Sequence, residues 1–337
     1  MILTRRSFAA ASAACLIPAS AQATAPLWTG VNLAGLEFAS GKLPGRLHHD
    51  YAAPSDDSLD YFHGLGARIV RVPFLWERLQ PALDGGFDQG YWRELQRLIM
   101  QTRQRRMRIV LDPHQYGRRR IDGVEHIIGE SPHVTEAHFS AFWGELARRA
   151  SAPHVIFGLQ NEPHDQDLAV LTRVHNAAIA AIRGTGAQNL ILAPGSAWTG
   201  AHSWVRSGNG AAALNLRDPA NNLAFDVHQY LDRNSSGTNA ACAQGAGARL
   251  EAFTAWARTH GKRGFLGEFG AGPGAPCQAE LAAMLQHMAD NRDVWIGWTA
   301  WGGGPWWPDD YPLRLEPPDL DVRQEAPQMA VLRRFFE

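Results

Sequence analysis

The chain of 337 residues has only three cysteines, and only 19% of its residues are charged. So few cysteines exclude a small fold held together by a disulfide framework. The 32 basic and 33 acidic residues nearly cancel, so no basic surplus is available for binding nucleic acid or an anionic membrane. With 45% apolar residues and little charge repulsion, the chain is expected to fold. By length it forms about two domains or one large barrel or sandwich.

Tryptophan, in contrast, is abundant, with 12 residues against 6 tyrosines. Large aromatic rings at this density suit either a packed core or flat apolar platforms for a flat ligand. Composition alone leaves both interpretations open.

The first 23 residues have the pattern of an export signal. Arg5 and Arg6 are followed by a short Ala-rich apolar run and then by Ala21-Gln22-Ala23, which is typical of a secretory signal peptide with its cleavage site. The apolar run over 9–17 is shorter than the ~20 residues that span a bilayer. The arginine pair resembles a twin-arginine signal, which predicts a bacterial protein exported in folded form to the periplasm or the exterior. The mature chain is then residues 24–337, without a membrane anchor.

Cleavage of this signal removes Cys15 and leaves Cys242 and Cys277. In an oxidising compartment two remaining thiols usually pair, so a disulfide between them is expected. Two buried, unpaired thiols are the alternative.

Short apolar runs alternate with segments of helical periodicity along the whole chain. Eight such units in about 300 residues predict one α/β domain, a (β/α)₈ TIM barrel. An open doubly wound sheet is disfavoured because no Gly-x-Gly-x-x-Gly turn follows the first strand. The strand candidates are Gly30–Leu33, Ala67–Phe74, Met107–His114, Val155–Glu162, Asn189–Ser196, Leu223–Tyr230, Arg263–Phe269 and Val294–Trp301. The helix candidates are Tyr91–Arg105, Val134–Arg149, Leu168–Arg183, Ala248–His260 and Ala279–Asn291.

Two glutamates stand at the ends of strand candidates that face each other in such a ring. Glu162 closes the fourth candidate and Glu268 lies in the seventh, and active sites of these barrels lie at the carboxyl ends of the strands. A facing pair of carboxyl groups suits glycoside hydrolysis, in which one acid protonates the leaving oxygen and the other attacks or activates water. Structural glutamates in salt bridges are the alternative.

Polar side chains at other strand ends favour the catalytic interpretation. Arg71 can keep a carboxylate ionised, Tyr230 can donate a hydrogen bond to it, and His228 can tune the acid. Asn161, beside Glu162, is a neutral donor for a sugar hydroxyl. Each alone has a structural explanation, such as an interior ion pair for the arginine, and only their joint position points to a site.

These residues lie in motifs that resemble glycoside hydrolase family 5, in its endoglucanase (cellulase) branch. The resemblance spans residues 28–312 and departs at Gln115 and at Arg118–Arg120, which leaves subsite preference open. Its motifs are Gly30-Val-Asn-Leu-Ala-Gly35, Arg71-Val-Pro-Phe74, Asp112-Pro-His-Gln-Tyr116, Asn161-Glu162-Pro163, Trp198-Thr-Gly-Ala201, Asp226-Val-His-Gln-Tyr230 and Gly267-Glu268-Phe269-Gly270.

The resemblance implies a retaining endo-β-1,4-glucanase that needs no metal or organic cofactor and binds a β-glucan as its partner. We also expect the chain to be a monomer. It implies Glu162 as the acid/base and Glu268 as the nucleophile. The implied supporting groups are Arg71 and Tyr230 at Glu268, His228 near the pair, His114 and Asn161 at the −1 sugar, and Trp301 beneath that sugar. A cysteine pair in the same region of the family matches Cys242 and Cys277.

The tryptophans divide by position. Trp301 and then Trp198 are the first candidates for ligand contact, while Trp204, Trp306 and Trp307 also fall in or beside strand-end loops. Trp92, Trp143 and Trp256 lie on helical patterns and are expected to pack in the core.

Three other functions remain open. A mannanase, xyloglucanase or mixed-linkage glucanase would use the same residues. A metal-dependent hydrolase could use carboxylates and imidazoles, from Asp112, His114, His228 and Glu268, although no His-x-His or His-Glu-x-x-His spacing supports it. A non-catalytic glycan-binding barrel usually lacks one of the two carboxylates, and both are present here.

Overall fold

The structure, a computed structural model, describes residues 25–320 and 324–336. The predicted signal of residues 1–23, with Cys15, lies outside the described residues. Within the described ranges, no helix combines the length and the apolar character needed to cross a bilayer.

Eight parallel strands close into a barrel, which confirms the predicted fold. In ring order they are β1, β10, β9, β8, β7, β6, β3 and β2. The predicted strands are all found, most of them shortened or shifted by one to four residues at their ends. Their bounds are β1 Trp28–Leu33, β2 Ile69–Phe74, β3 Arg108–Pro113, β6 Val155–Gly158, β7 Ile191–Pro194, β8 Leu223–Tyr230, β9 Gly264–Gly270 and β10 Trp295–Gly303.

A hairpin after the third barrel strand was not predicted from the sequence. Its strands, β4 Arg118–Ile121 and β5 Val124–Ile127, pair antiparallel. Asp122 and Gly123 form the turn with φ of 48° and 82°, the left-handed pair that a tight two-residue hairpin turn requires. The Asp-Gly dipeptide was therefore the signal that could have found it.

Helices cover the outside of the barrel. Side-chain caps fix the starts of two long helices: Thr135 and His138 form a capping box for the helix from Glu136, and Asp167 accepts hydrogen bonds from the first free amides of the helix from Leu168. The helices are α1 Asp56–Gly64, α2 Trp76–Leu79, α3 Gln89–Gln104, α4 Glu136–Ala150, α5 Leu168–Gly184, α6 Asn209–Ala213, α7 Glu251–Thr259, α8 Ala275–Asp290 and α9 Met329–Leu332. Short 3₁₀ turns occupy Ala197–Thr199, Ala201–Ser203 and Ala246–Leu250.

The barrel interior changes from apolar to charged along its axis. One cluster of buried side chains, which includes Ile69, Val110 and Phe265, fills the amino-terminal end. Two residues further along their strands stand Arg71 and Asp112, and alternate strand residues face the same side. This apolar cluster therefore lies beneath a layer of charged groups at the carboxyl end of the strands.

The predicted disulfide is present between Cys242 and Cys277, which are 35 residues apart in sequence. It joins the loop after β8 to the first turn of α8.

Candidate active site

Glu268 lies within β9 and is almost fully buried, with 3% of its surface exposed. Arg71 Nη1 donates to its Oε1 at 2.6 Å and the Tyr230 hydroxyl donates to its Oε2 at 2.8 Å. Each carboxylate oxygen therefore has a fixed donor. The structure brings these three predicted residues together.

Glu268 is held in its ionised form. Burial opposes ionisation, but the charges of His228, Arg71 and His114 and the hydrogen bond from Tyr230 outweigh it and lower the pKa of Glu268 to about 2. A permanently charged, oriented carboxylate is what a nucleophile at carbon requires.

Glu162 does not close its strand, and that prediction was wrong. Strand β6 ends at Gly158, four residues earlier, and Glu162 has a left-handed backbone with φ of 37°. A non-glycine residue in this region is strained and cannot continue an extended strand. The irregular segment brings Glu162 Oε1 to 2.7 Å from His228 Nδ1, with 14% of its side chain exposed.

The two glutamates converge as predicted. One oxygen of Glu162 and one of Glu268 lie within 4.8 Å of each other. This is near the separation of about 5–5.5 Å found in retaining glycosidases, and well below the 6.5–9.5 Å or so that leaves room for a water in inverting ones. The geometry therefore favours direct attack by a carboxylate over attack by water.

His228 lies between the two carboxylates because its strand pairs it with Glu268 in register. Its Nδ1 is 2.7 Å from Glu162 and 3.6 Å from Glu268, and its Nε2 is 3.9 Å from Asp226. Burial disfavours the imidazolium, but the charges of Glu268, Asp226 and Glu162 together raise the pKa of His228 to about 10. The imidazole therefore holds a proton at hydrogen-bond distance from Glu162.

Arg71 connects groups from several parts of the ring. Besides Glu268, its guanidinium contacts Asp112 at 3.0 Å, Asn161 at 2.6 Å and Asn32 at 2.9 Å. Burial opposes its charge, but Asp112, Glu268 and the neighbouring acids raise its pKa above the usual range. Arg71 thus belongs both to an interior ion pair and to the site, the two explanations that its sequence position left open.

Asn32 was missed as a site residue. It pairs in register with Arg71, and its amide nitrogen donates to the carbonyls of Gly267 and Thr299. It therefore holds Arg71 and the start of the Glu268 segment at once. Its position in the Gly30–Gly35 motif, within β1, was the one available signal.

His114 and Asn161 lie side by side at the same end of the barrel. His114 Nδ1 bonds Asp112 at 2.8 Å, and its Nε2 is 3.3 Å from the amide nitrogen of Asn161. Burial opposes the charged form of His114, but Asp112 outweighs it and the pKa is raised. The ring also stacks on Trp301, with centroids 5.7 Å apart and planes 14° apart.

Trp301 lies near the carboxyl end of β10, with 9% of its surface exposed. Its Nε1 donates to the Tyr311 hydroxyl at 3.0 Å, and its ring packs edge-on against Trp307. Trp307 in turn stacks on Tyr311 at 4.3 Å. Trp301, Trp307 and Tyr311 thus form an aromatic wall, of which the sequence did not indicate Tyr311. Trp306 is 40% exposed.

Trp198 is the most exposed tryptophan among the described residues singled out from the sequence, at 52%. It sits in three successive left-handed residues, Ala197, Trp198 and Thr199, and stacks on His164 with centroids 4.5 Å apart. Such backbone strain is concentrated at functional sites.

Trp204, placed by sequence in the strand-end group, is instead buried at 1% and packs on Phe225, Phe253 and Trp256. The 3₁₀ turn just before it directs its ring into the layer between barrel and helices, so it is a core residue. Trp92, Trp143 and Trp256 are buried, as predicted.

An open cavity of about 810 Å³ begins at Glu162. His228 and Tyr230 line its inner end, and Trp198 and Arg206 belong to the loop along one side. The cavity has room for sugar units beyond the acid.

The run Arg118–Arg120 fastens the hairpin rather than lining this cavity. The Arg119 guanidinium lies over the Trp76 ring at 4.5 Å, and the Arg120 amide donates to Glu77. Gln115 also reaches Glu77, at 3.3 Å. Two of these departures from the family motif, Gln115 and Arg120, thus meet at the buried Glu77.

The side chains considered as metal ligands, Asp112, His114, His228 and Glu268, contact other protein groups instead. Asp112 Oδ2 bonds both Arg71 and His114. Glu162, His228 and Glu268 do have ligand atoms within 4.8 Å of one another, and His228 Nδ1 lies 2.7 Å from Glu162 Oε1. Arg71 and Tyr230 also donate to the two oxygens of Glu268, so these side chains already have protein partners.

Comparison with known proteins identifies the relatives of this chain. The sequence profile described as "Cellulase (glycosyl hydrolase family 5)" matches residues 23–304. The chain is 39% identical over 296 residues to Endoglucanase gh5-1 of Neurospora crassa, covering 86% of this chain and 73% of that protein. It is 37% identical over 314 residues to Endo-beta-1,4-glucanase A of Emericella nidulans, covering 92% of each.

Solved structures agree. XacCel5A in complex with cellopentaose matches with a TM-score of 0.87 and 40% identity, over 91% of this chain and 98% of that one. An endo-beta-1,4-glucanase from Xanthomonas axonopodis pv. citri matches with a TM-score of 0.87 and 42% identity, over 92% of this chain and 98% of that one.

Proposed function

The chain belongs to glycosyl hydrolase family 5, and from this premise we propose that it is a retaining endo-β-1,4-glucanase that cleaves internal bonds of cellulose-type glucans. The single observation that carries the mechanism is the approach of the Glu162 and Glu268 carboxyl groups within 4.8 Å. The curated relatives compared above are named endoglucanases or endo-β-1,4-glucanases.

In the first step Glu268 attacks the anomeric carbon. A carbon–oxygen bond forms to Glu268 as the bond to the leaving sugar breaks, and the departing oxygen takes a proton from Glu162. His228 Nδ1, 2.7 Å from Glu162 Oε1, holds the side chain of this acid in place. Arg71 and Tyr230 orient Glu268 for attack through one oxygen each.

In the second step water replaces the enzyme at the same carbon. Glu162, now a carboxylate, takes a proton from water, the water oxygen bonds the anomeric carbon, and the Glu268 carboxylate departs. Two inversions at one carbon give a product with retained configuration.

The groups around the pair fit a flat, neutral sugar. His114 and Asn161 offer polar atoms to hydroxyls of the −1 sugar, and Trp301 offers an apolar face beneath it. The bound cellopentaose of XacCel5A, a protein 40% identical to this chain, supports a β-glucan as ligand here. Trp198 offers a second ring on the other side of Glu162.

We further propose that residues 1–23 are a cleaved twin-arginine-type signal, so that residues 24–337 form one exported catalytic domain. The disulfide between Cys242 and Cys277 supports an oxidising destination. Monomeric state and bacterial origin remain predictions from the sequence.

The test is hydrolysis of a substrate panel by the purified mature chain. Carboxymethylcellulose and barley glucan should release reducing ends, and proton NMR of cellopentaose digests should show the β-anomer first. Cleavage of mannan or xylan alone would assign the chain to another β-glycanase activity. An α-anomer formed first would refute the double displacement.

A further inference from the structure

Arg206 carries the only guanidinium or ammonium group among the described residues that line the cavity next to Glu162. It is exposed and follows the 3₁₀ turn Ala201–Ser203. The proposed mechanism does not use it, so its charge needs another explanation.

The cavity lies on the aglycone side of the bond that is cleaved. Its lining begins at Glu162, which faces the leaving oxygen, and includes neither Glu268 nor the groups assigned to the glycone sugar, His114 and Trp301. A sugar in this cavity therefore belongs to the fragment that leaves first.

Two guanidinium charges act on His202 in the wall of this cavity. Burial lowers the pKa of His202, and the charges of Arg206 and Arg249 lower it further. Glu162 is the sole acidic group among the described lining residues.

The Arg206 guanidinium is available to a ligand. It makes one hydrogen bond, from Nη1 to the carbonyl of His202 at 3.1 Å, and no carboxylate of the described residues lies within 4.0 Å of it. An arginine has five N–H donors in a fork that matches a carboxylate. Most of these donors therefore remain free at the edge of the cavity.

We propose that Arg206 makes the aglycone side of the cleft selective for β-glucans that carry a carboxylate, such as uronate-containing chains. This inference rests on the proposed function, since it assumes cleavage between Glu162 and Glu268. A neutral glucan can only accept hydrogen bonds from this guanidinium, whereas a carboxylate on a sugar in the aglycone cavity would also pair with its charge. This preference decides on which side of the cleaved bond a uronate binds. The glycone side has buried acids of its own, so a carboxylate is favoured only on the aglycone side.

The experiment uses cello-oligosaccharides partly oxidised at C6 to uronates, digested briefly in oxygen-18 water and analysed by mass spectrometry. Water attacks the anomeric carbon, so the glycone fragment gains the heavy oxygen and the aglycone fragment does not. At low ionic strength the uronates should be about fivefold enriched in the unlabelled fragments, the upper range for an exposed ion pair. High salt should bring that enrichment towards one.

Variants separate the explanations. Arg206→Gln should abolish the enrichment and Arg206→Lys should keep it. Arg217→Gln is the matched control, since Arg217 is also exposed and its guanidinium is bonded only to main-chain carbonyls, but it lies outside this cavity. Equal uronate content in both fragments of the wild type, or enrichment that survives Arg206→Gln, would overturn the proposal. An Arg206→Gln variant that loses as much activity on neutral cellopentaose as on the uronate substrates would also overturn it, because Arg206 would then be a general sugar contact.

Neutral cellopentaose also tests the premise independently. If it is cleaved and only the charge effect is missing, the inference about Arg206 fails alone. If it is not cleaved by the wild type, the proposed function itself fails.

Discussion

Replacing Tyr230 by phenylalanine removes one oxygen from the site and tests how Glu268 is kept ionised. The Tyr230 hydroxyl donates to Glu268 Oε2 at 2.8 Å, and both side chains are buried. Glu268 keeps its bond from Arg71 in the variant, so the carboxylate loses one of two direct donors. The ring itself still fills its place.

The size of the effect follows from that bond. A hydrogen bond to a charged acceptor is worth about 1.5–3 kcal/mol, and one pKa unit corresponds to about 1.4 kcal/mol. The pKa of Glu268, about 2 in the native protein, should therefore rise by roughly one to two units. Since the active form is ionised, activity is lost as pH falls through this pKa, and the variant should lose it at a higher pH.

The assay is kcat/KM for an aryl cellotrioside between pH 2 and pH 7. Residual activity after return to pH 6 corrects for acid denaturation. Tyr311→Phe is the control, because Tyr311 accepts from Trp301 and makes no bond to Glu268. An acid limb that does not move in Tyr230→Phe, or that moves equally in Tyr311→Phe, would refute the electrostatic account.

Three further changes test other parts of the structure. Glu162→Gln and Glu268→Gln should each lower kcat by at least about 100-fold, since each removes a transferred proton or the nucleophile, with little change in melting temperature. A large drop in melting temperature would make these glutamates structural. Cys242→Ser with Cys277→Ser should lower the free energy of unfolding by about 3–4 kcal/mol, from a loop of 35 residues, in urea titrations. Two free thiols in the native exported protein would contradict this. Trp198→Ala should raise KM for cellopentaose and have a smaller effect on KM for a substrate whose leaving group is a single aryl ring. An equal change in KM for the two substrates would show that Trp198 does not bind the aglycone.

The barrel could be predicted because its strands are short apolar runs buried on both faces. In β2, all six residues of Ile69–Phe74 are buried, and such runs alternating with amphipathic helices have few other solutions. The strand ends then indicated Arg71 and Glu268, since the closed ring brings all carboxyl ends to one rim.

Features that depend on single backbone angles could not be predicted in this way. The left-handed conformation of Glu162, and of Ala197 to Thr199, has no signature in residues that usually avoid it. Trp204 was misplaced for the same reason: its distance along the chain from a strand end does not tell in which direction a 3₁₀ turn points it. Asn32 looked like an ordinary strand residue because its partners come from distant parts of the chain.

The bonds of Arg71 also have a consequence for the order in which activity is acquired. Its partners Asn32, Asn161 and Glu268 are 39, 90 and 197 residues away in sequence, and they belong to segments spread around the ring. No fragment that ends before β9 can assemble this cluster, and no partly closed sheet can hold its charges out of water at low cost. During refolding, catalytic turnover should therefore appear only in the slowest phase that completes the barrel, after most helical signal has returned.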